Sequence, residues 1–104
     1  MILCIGEAVI DMFRKLDPIF GEVFYPLPGG NAYNTSIAVG RLGVNVAFTG
    51  RISKNFLGDI QVKRLKENNV RYDLLLRCDQ NPVLSIIKTE KNKEPQYAFY
   101  DGTA

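Results

Sequence analysis

The chain of 104 residues contains no histidine and only two cysteines. Without histidine it lacks the commonest metal ligand and the commonest general base near neutral pH, so carboxylates or amides would have to carry any chemistry. Cys4 and Cys78 are too few and too widely spaced to indicate a disulfide framework or a zinc site. We therefore expect two reduced thiols, no metal site and a cytoplasmic location.

Long apolar runs and an excess of one charge are also missing. No stretch approaches the ~20 apolar residues that span a bilayer, and the short apolar opening lacks the basic flank of a signal peptide. The formal net charge is only +2, with both signs interspersed, which gives no field suited to nucleic acid or an anionic membrane. We expect neither nucleic acid nor a membrane as partner.

Two short apolar runs, 2–5 and 46–49, each end at a glycine. Such runs are typical of central strands that are buried on both faces. Between and after them the sequence has helical character, so strands and helices alternate and the expected fold class is α/β with a mainly parallel sheet.

Two helices are predicted, over about 31–42 and 56–68. The first follows a Gly-Gly turn, with an asparagine as a possible cap and Gly43 as a left-handed terminator; its inner face would include Ala38 and Leu42. The second begins after Ser53 or Asn55, either of which can cap it, and closes at Asn68-Asn69. The apolar residues that it directs to the core are Leu57, Ile60 and Leu65.

Two segments fall outside this alternation, at about 9–26 and 82–100. The second contains two β-rich runs separated by a charged, turn-prone stretch, which is typical of a hairpin, and the first suits another short strand pair. Together they predict a small accessory sheet. Only about three central strands are accounted for, so we interpret residues 1–104 as part of one larger domain, with an exposed sheet edge that favours self-association.

The most distinctive polar segment is Gly29-Gly30-Asn31, where a glycine pair turns directly into a helix. Bare backbone lets a ligand approach, the helix start offers free N–H groups, and the amides of Asn31 and Asn34 lie on one side of the first turn. This arrangement suits an uncharged, polyhydroxylated ligand. A helix cap without a ligand explains the pattern as well.

The Gly29-Gly30 segment does not match either common nucleotide-binding motif. It is not a Walker A loop, since no Lys-Ser or Lys-Thr follows the glycines, and it is not a Rossmann turn, since the glycines do not follow the first strand directly.

A carboxylate, Asp11, lies among apolar residues just beyond the first predicted strand. Ligands of open α/β folds bind near the carboxyl edge of the sheet, where Asp11 could accept hydrogen bonds from two hydroxyl groups. A solvated turn aspartate is an equally good interpretation. Glu7 and Arg51 are weaker candidates for the same site.

Taken together, these motifs resemble the N-terminal third of the PfkB carbohydrate kinases, also called the ribokinase family, and most closely the fructokinase and 2-keto-3-deoxygluconate kinase branch. The residues that carry the resemblance are Gly6-Glu7, Asp11, 28–36, Arg41-Leu42-Gly43, Thr49-Gly50-Arg51, 56–59, Asn81-Pro82 and Phe99-Tyr100.

The resemblance implies an incomplete ribokinase-like fold in which the accessory sheet is a lid over the sugar and often a homodimer interface. Residues similar to the family's sugar contacts are Asp11, Gly29, Gly30 and Asn34, with Asn31 beside them and Tyr97 or Phe99 covering the ligand. ATP and Mg²⁺ would act in the full-length enzyme, whose catalytic Asp motif does not occur here. The chain alone would then be inactive, bind neither ATP nor Mg²⁺, and require the remainder of the kinase.

Departures from the family pattern occur at three positions. Ser53 stands where the family has glycine, Asn55 where it usually has Asp, and Asp101 where many relatives carry an arginine. An arginine would suit the carboxylate of an acid sugar, so its absence favours a neutral hexose or pentose. The alternative function is a stand-alone sugar-binding module without catalysis.

Overall fold

Strands and helices follow one another along the chain in a computed structural model that describes residues 1–101. The elements are β1 (Ile2–Ile5), β2 (Val9–Asp17), β3 (Gly21–Gly29), α1 (Asn31–Arg41), β4 (Val46–Thr49), β5 (Arg51–Ser53), α2 (Phe56–Glu67), β6 (Leu76–Cys78), β7 (Leu84–Lys88) and β8 (Gln96–Tyr100).

Parallel strands and two helices form the body of the fold. β1 pairs with β4 from Ile2↔Val46 to Ile5↔Thr49, and β5 pairs with β6, both in parallel. The buried core joins the strands to the helices through Cys4, Ala8, Tyr33, Ile37, Val46, Phe48, Ile52, Leu65 and Val70. The α/β class is confirmed.

Four strands form a second sheet, the accessory sheet, in the order β3-β2-β7-β8. β2 pairs antiparallel with β3, parallel with β7, and β7 pairs antiparallel with β8, so the hairpin predicted within 82–100 is present. β3 extends to Gly29, which places Pro28 and Gly29 in a strand rather than a turn. Since prolines have no N–H to donate, Pro26 and Pro28 obstruct further pairing along the free edge of β3, whereas β8 has no proline.

The expectation that β1 is buried on both faces is wrong for this chain. Only Cys4 is buried, while Ile2, Leu3 and Ile5 are 47%, 43% and 70% exposed. The reason is that, within residues 1–101, β1 packs against α1 on the side of Cys4 and pairs with β4 alone.

The predicted inner face of α1 is also wrong. Ala38 is exposed and Leu42 is 79% exposed, whereas the buried residues of the helix are Tyr33, Ser36, Ile37 and Gly40. Close packing selects this face, because a β-carbon on Gly40 would lie 2.2 Å from the backbone oxygen of Asn68.

Both ends of α1 depend on glycine. No asparagine side chain caps its start, where Gly30 is the N-cap without a side-chain hydrogen bond. At its other end Gly43 has φ +79°, which confirms the left-handed terminator.

The second helix follows its prediction more closely. Asn55 caps α2 by accepting a hydrogen bond of 3.0 Å from the Leu57 N–H, and Asn69 lies beyond the helix with φ 62°. Leu65 is fully buried, whereas Leu57 and Ile60 are half-buried. The helix has a modest apolar face, and no helix within residues 1–101 is long and apolar enough to cross a membrane.

Candidate functional site

Three of the predicted site residues come together where β2, β3 and α1 meet. A β-carbon on Gly29 would lie 2.8 Å from Oδ2 of Asp11 and 3.9 Å from Nδ2 of Asn34. The carboxylate and the amide therefore flank one stretch of bare backbone. Hydrogen-bond acceptors and donors are available side by side, as recognition of neighbouring hydroxyl groups requires.

Asp11 occupies a half-buried position in the accessory sheet, opposite Leu27 of β3 and Ser85 of β7. Burial raises the pKa of the Asp11 carboxyl, and a hydrogen bond with the Ser85 hydroxyl partly opposes that rise. An ionised carboxylate has about four acceptor positions, so a bond from Ser85 leaves others for a ligand. Ser85 was not predicted as a site residue, although a polar residue inside the apolar run of β7 was a usable signal.

The start of α1 is pressed against the loop that follows β1. Gly30 has φ 115°, and a β-carbon there would lie 2.3 Å from the carbonyl oxygen of Glu7. Only glycine fits this conformation and this gap without rearrangement. Asn31, the first helical residue, is exposed and lines a recess of about 340 Å³ together with Gly30 and Val9. The first-turn N–H groups of a helix lack intrahelical partners and are open to a ligand.

The two aromatic candidates lie on the same face of the accessory sheet as Asp11. Phe99 pairs with Ser85, which pairs with Asp11, and cross-strand partners project to one face. The rings of Tyr97 and Phe99 stack with centroids 6.0 Å apart and are 58% and 69% exposed. β7 lies between their strand, β8, and the strand of Asp11, β2. The two rings therefore lie beside the polar cluster and are not part of it.

A buried hydrogen-bond chain lies beneath the cluster and was not anticipated from the sequence. The Tyr33 hydroxyl donates to the backbone oxygen of Gln61 at 2.6 Å, and Nε2 of Gln61 donates to the Val9 oxygen at 3.3 Å. Burial raises the pKa of Tyr33 far above its ordinary value, although Arg64 partly opposes the rise. The phenol therefore remains a proton donor.

The weaker candidates, Glu7 and Arg51, line a second cavity of about 300 Å³ together with Cys78, and Glu7 also lines the recess beside Asn31. None of the seven predicted site residues lines this second cavity. Carboxylate, amide and bare backbone converge at the polar cluster of Asp11, Gly29 and Asn34. Within residues 1–101 no group of three His, Cys, Asp or Glu side chains could hold a metal ion.

Comparison with known proteins defines the class. The family model for "pfkB family carbohydrate kinase" matches residues 1–104. This chain belongs to the PfkB family of carbohydrate kinases. It is 42% identical over 106 residues to a fructokinase from Rhizobium leguminosarum bv. trifolii, covering 100% of this chain and 32% of the relative.

Solved structures agree with this assignment. The crystal structure of a fructokinase from Xylella fastidiosa matches with a TM-score of 0.86 at 30% identity, covering 99% of this chain and 33% of that one. A second structure of that protein, with bound ATP, gives 0.85 at 30% identity, with coverages of 95% and 32%. A 2-dehydro-3-deoxygluconokinase from Thermotoga maritima shares the fold, with 0.85 at 17% identity and coverages of 96% and 32%.

These coverages show that the chain spans about a third of the length of the relatives that it matches. The fold is confirmed as the corresponding part of a ribokinase-like fold.

Proposed function

We propose that this chain is the sugar-binding N-terminal portion of an ATP-dependent carbohydrate kinase that resembles fructokinases and phosphorylates a sugar hydroxyl. The observation that carries the proposal is the convergence of the Asp11 carboxylate and the Asn34 amide on the backbone of Gly29. The 42% identity to a fructokinase supports this choice of sugar class.

In this proposal each residue makes a distinct contact with the sugar. Asp11 accepts hydrogen bonds from neighbouring hydroxyls, and Asn31 and Asn34 donate and accept through their amides. Gly29 and Gly30 lack side chains, so the ring can approach the backbone. Tyr97 and Phe99 would cover the apolar C–H face of the sugar, in the manner of aromatic side chains in ligand pockets.

A neutral sugar fits the charges of the site better than a sugar acid. Asp11 contributes negative charge, so it would repel a carboxylate on the ligand. Asp101 stands where an arginine would suit an acid sugar. We therefore expect fructose to bind more tightly than ketodeoxygluconate.

ATP and Mg²⁺ belong to the full-length enzyme in this proposal. Residues 1–104 contain no Gly-rich loop ending in Lys-Ser or Lys-Thr, and the described residues 1–101 contain no cluster of three metal-binding side chains. In the complete enzyme ATP would supply the phosphoryl group and Mg²⁺ would screen its charge. The contribution of this chain is to bind and orient the sugar.

The test compares residues 1–104 with the full-length protein. Calorimetric titration with fructose, ribose and ketodeoxygluconate should give the tightest binding for fructose in the full-length protein. Transfer of phosphate from ATP should be seen with the full-length protein and not with residues 1–104. Asp11→Asn should abolish most of the binding, whereas Asp79→Asn, a control at an exposed aspartate, should not. Phosphorylation of fructose by residues 1–104 alone would refute the proposal that this chain binds the sugar and that phosphate transfer requires the full-length protein.

The proposal also covers how the protein assembles and where it is located in the cell. The remainder of the kinase would cover the exposed residues of β1, and two copies would associate through the lid or the exposed edge of its sheet. Size-exclusion chromatography with light scattering tests this; a stable monomer at high concentration would count against a homodimer. We place the protein in the cytoplasm, where the two free thiols, Cys4 and Cys78, would stay reduced.

A further inference from the structure

One residue contacts both segments that carry the candidate sugar site. Gln61, in α2, is fully buried although its side chain is polar. Its backbone oxygen accepts the 2.6 Å hydrogen bond from Tyr33 in the first turn of α1, and its side chain donates the 3.3 Å bond to Val9 in β2. Gln61 therefore ties α1 and β2 to the same point of α2.

The positions of these two bonds matter because each lies next to a site residue. Tyr33 is adjacent to Asn34, and Val9 lies two residues before Asp11 on the same face of β2. Asp11 and Asn34 both approach Gly29 from different elements. Their separation therefore depends on how α1 and β2 are held relative to each other.

Tight packing around Gln61 fixes the point of α2 to which both hydrogen bonds attach. The ring of Tyr33 meets the ring of Phe48 edge-on, with centroids 5.4 Å apart, so the hydroxyl has a fixed direction. α2 itself lies tightly on β5, since Gly58 has no room for a β-carbon beside the Ser53 backbone. The attachment point of both bonds is thus fixed in the body of the fold.

Packing alone does not account for a glutamine at this position. Oε1 of Gln61 is buried and has no hydrogen-bond partner within residues 1–101, which carries a desolvation cost. Methionine has a similar length and no polar atoms that need partners. The amide therefore contributes through its N–H group, which bonds Val9.

We propose that Gln61 is a positioning residue that holds Asp11 and Asn34 at the separation at which both reach one sugar molecule. It acts through Val9 and Tyr33 and does not touch the ligand. The ligand is the sugar of the proposed function, on which this part of the inference rests.

The test uses Gln61→Met in the full-length protein, with Lys66→Met on the exposed side of the same helix as control. Without any sugar, hydrogen–deuterium exchange of the peptide containing 9–11 should rise in Gln61→Met, which loses the side-chain bond to Val9, and stay unchanged in Lys66→Met. The hydroxyl of Tyr33 bonds the backbone oxygen of residue 61, which methionine retains, so exchange in 31–34 should change little in Gln61→Met. In assays with fructose, KM for fructose should rise about tenfold while KM for ATP stays constant. A residue that only stabilises the fold would reduce the amount of active enzyme and leave both KM values unchanged.

Tyr33→Phe provides a second variant in case Gln61→Met does not fold. It keeps the ring against Phe48 and removes only the hydroxyl, so exchange should rise in 31–34 and KM for fructose should rise. Unchanged exchange in both segments, or an unchanged KM for fructose in an active enzyme, would overturn the inference. If the wild-type protein does not bind or phosphorylate fructose, the proposed function fails, and the exchange data alone decide whether Gln61 holds the two segments.

Discussion

Gly58 lies so close to Ser53 that a β-carbon on the glycine would stand 1.8 Å from the serine's backbone oxygen. Alanine is favoured over glycine inside a helix by about 1 kcal/mol, but forcing atoms into a filled space costs about 1–3 kcal/mol or more. Since the contact is with backbone, we expect Gly58→Ala to lower the free energy of unfolding by about 2 kcal/mol. Urea denaturation of the wild type and the variant measures this difference in the free energy of unfolding. Lys66→Ala, exposed on the same helix, should be nearly neutral; a stabilised Gly58→Ala would contradict the contact.

Gly29→Ala should damage binding more than stability. The added methyl group would meet Oδ2 of Asp11, the end of a side chain that can turn away, so the carboxylate should leave its present position. We expect the Kd for fructose to rise about tenfold or more, as for a lost hydrogen bond to a charged group. Calorimetry and thermal melts of the full-length protein separate the two effects. Lys15→Ala, an exposed position of β2, is the control, and undiminished affinity in Gly29→Ala would remove Gly29 from the site.

Asp11→Asn should weaken sugar binding and stabilise the fold at neutral pH. Burial raises the pKa of Asp11, so the native state prefers the protonated carboxyl, and its stabilising contribution is lost as the pH rises through the raised pKa. Asparagine carries no charge, so near pH 7 the variant should melt above the wild type, with the difference vanishing below about pH 4.

Binding should show the opposite dependence. The affinity of the wild-type protein for fructose should fall as the pH drops through the raised pKa of Asp11, because the ionised carboxylate is the acceptor. Calorimetry and thermal melts across this pH range check both trends. A variant that melts below the wild type at pH 7 would indicate that Asp11 stabilises the fold.

Phe99 and Tyr100 are neighbours on β8 that face opposite sides of the accessory sheet. Phe99 shares the face of Asp11, whereas Tyr100 pairs with Leu84 on the other face. Phe99→Ala should therefore raise the Kd for fructose about tenfold, the effect of losing the apolar contact that the ring would make with the sugar, and Tyr100→Ala should leave it unchanged. Titration of both variants decides the matter. Equal losses of affinity in the two variants would contradict the assignment of the sugar to the Phe99 face of the sheet.

The elements that follow from local sequence were predictable. β1 and β4 are short apolar runs ending at glycine, α2 has an asparagine cap, and β7 and β8 are β-rich runs on either side of a charged, turn-prone stretch. The three-residue strands β5 and β6 were not predicted, because they are too short to show a period and owe their form to pairing across α2. The buried face of α1 was misassigned since Tyr33 and Gly40 are selected by long-range contacts.

The candidate site divides in the same way. Asp11, Gly29 and Asn34 belong to short motifs, so the sequence alone was enough to name them. Ser85 reaches the cluster through the register of β2 with β7, and Gln61 through its hydrogen bond to Val9 of β2. A polar residue in the apolar run of β7 marks Ser85 as unusual without showing its partner, and no local pattern connects Gln61 with Val9.

The parallel pairing of β2 with β7 constrains the order of folding. β2 and β7 are far apart in the sequence, with β3, α1, β4, β5, α2 and β6 between them. The hairpin of β2 and β3 can therefore form early, whereas β2 cannot pair with β7 until the chain has been made as far as β7. Contacts of such long sequence separation form late and slowly. On the ribosome, Asp11 would therefore remain without Ser85 while α1 and α2 already pack, and the face of the accessory sheet that carries Asp11 would acquire its final shape after these helices.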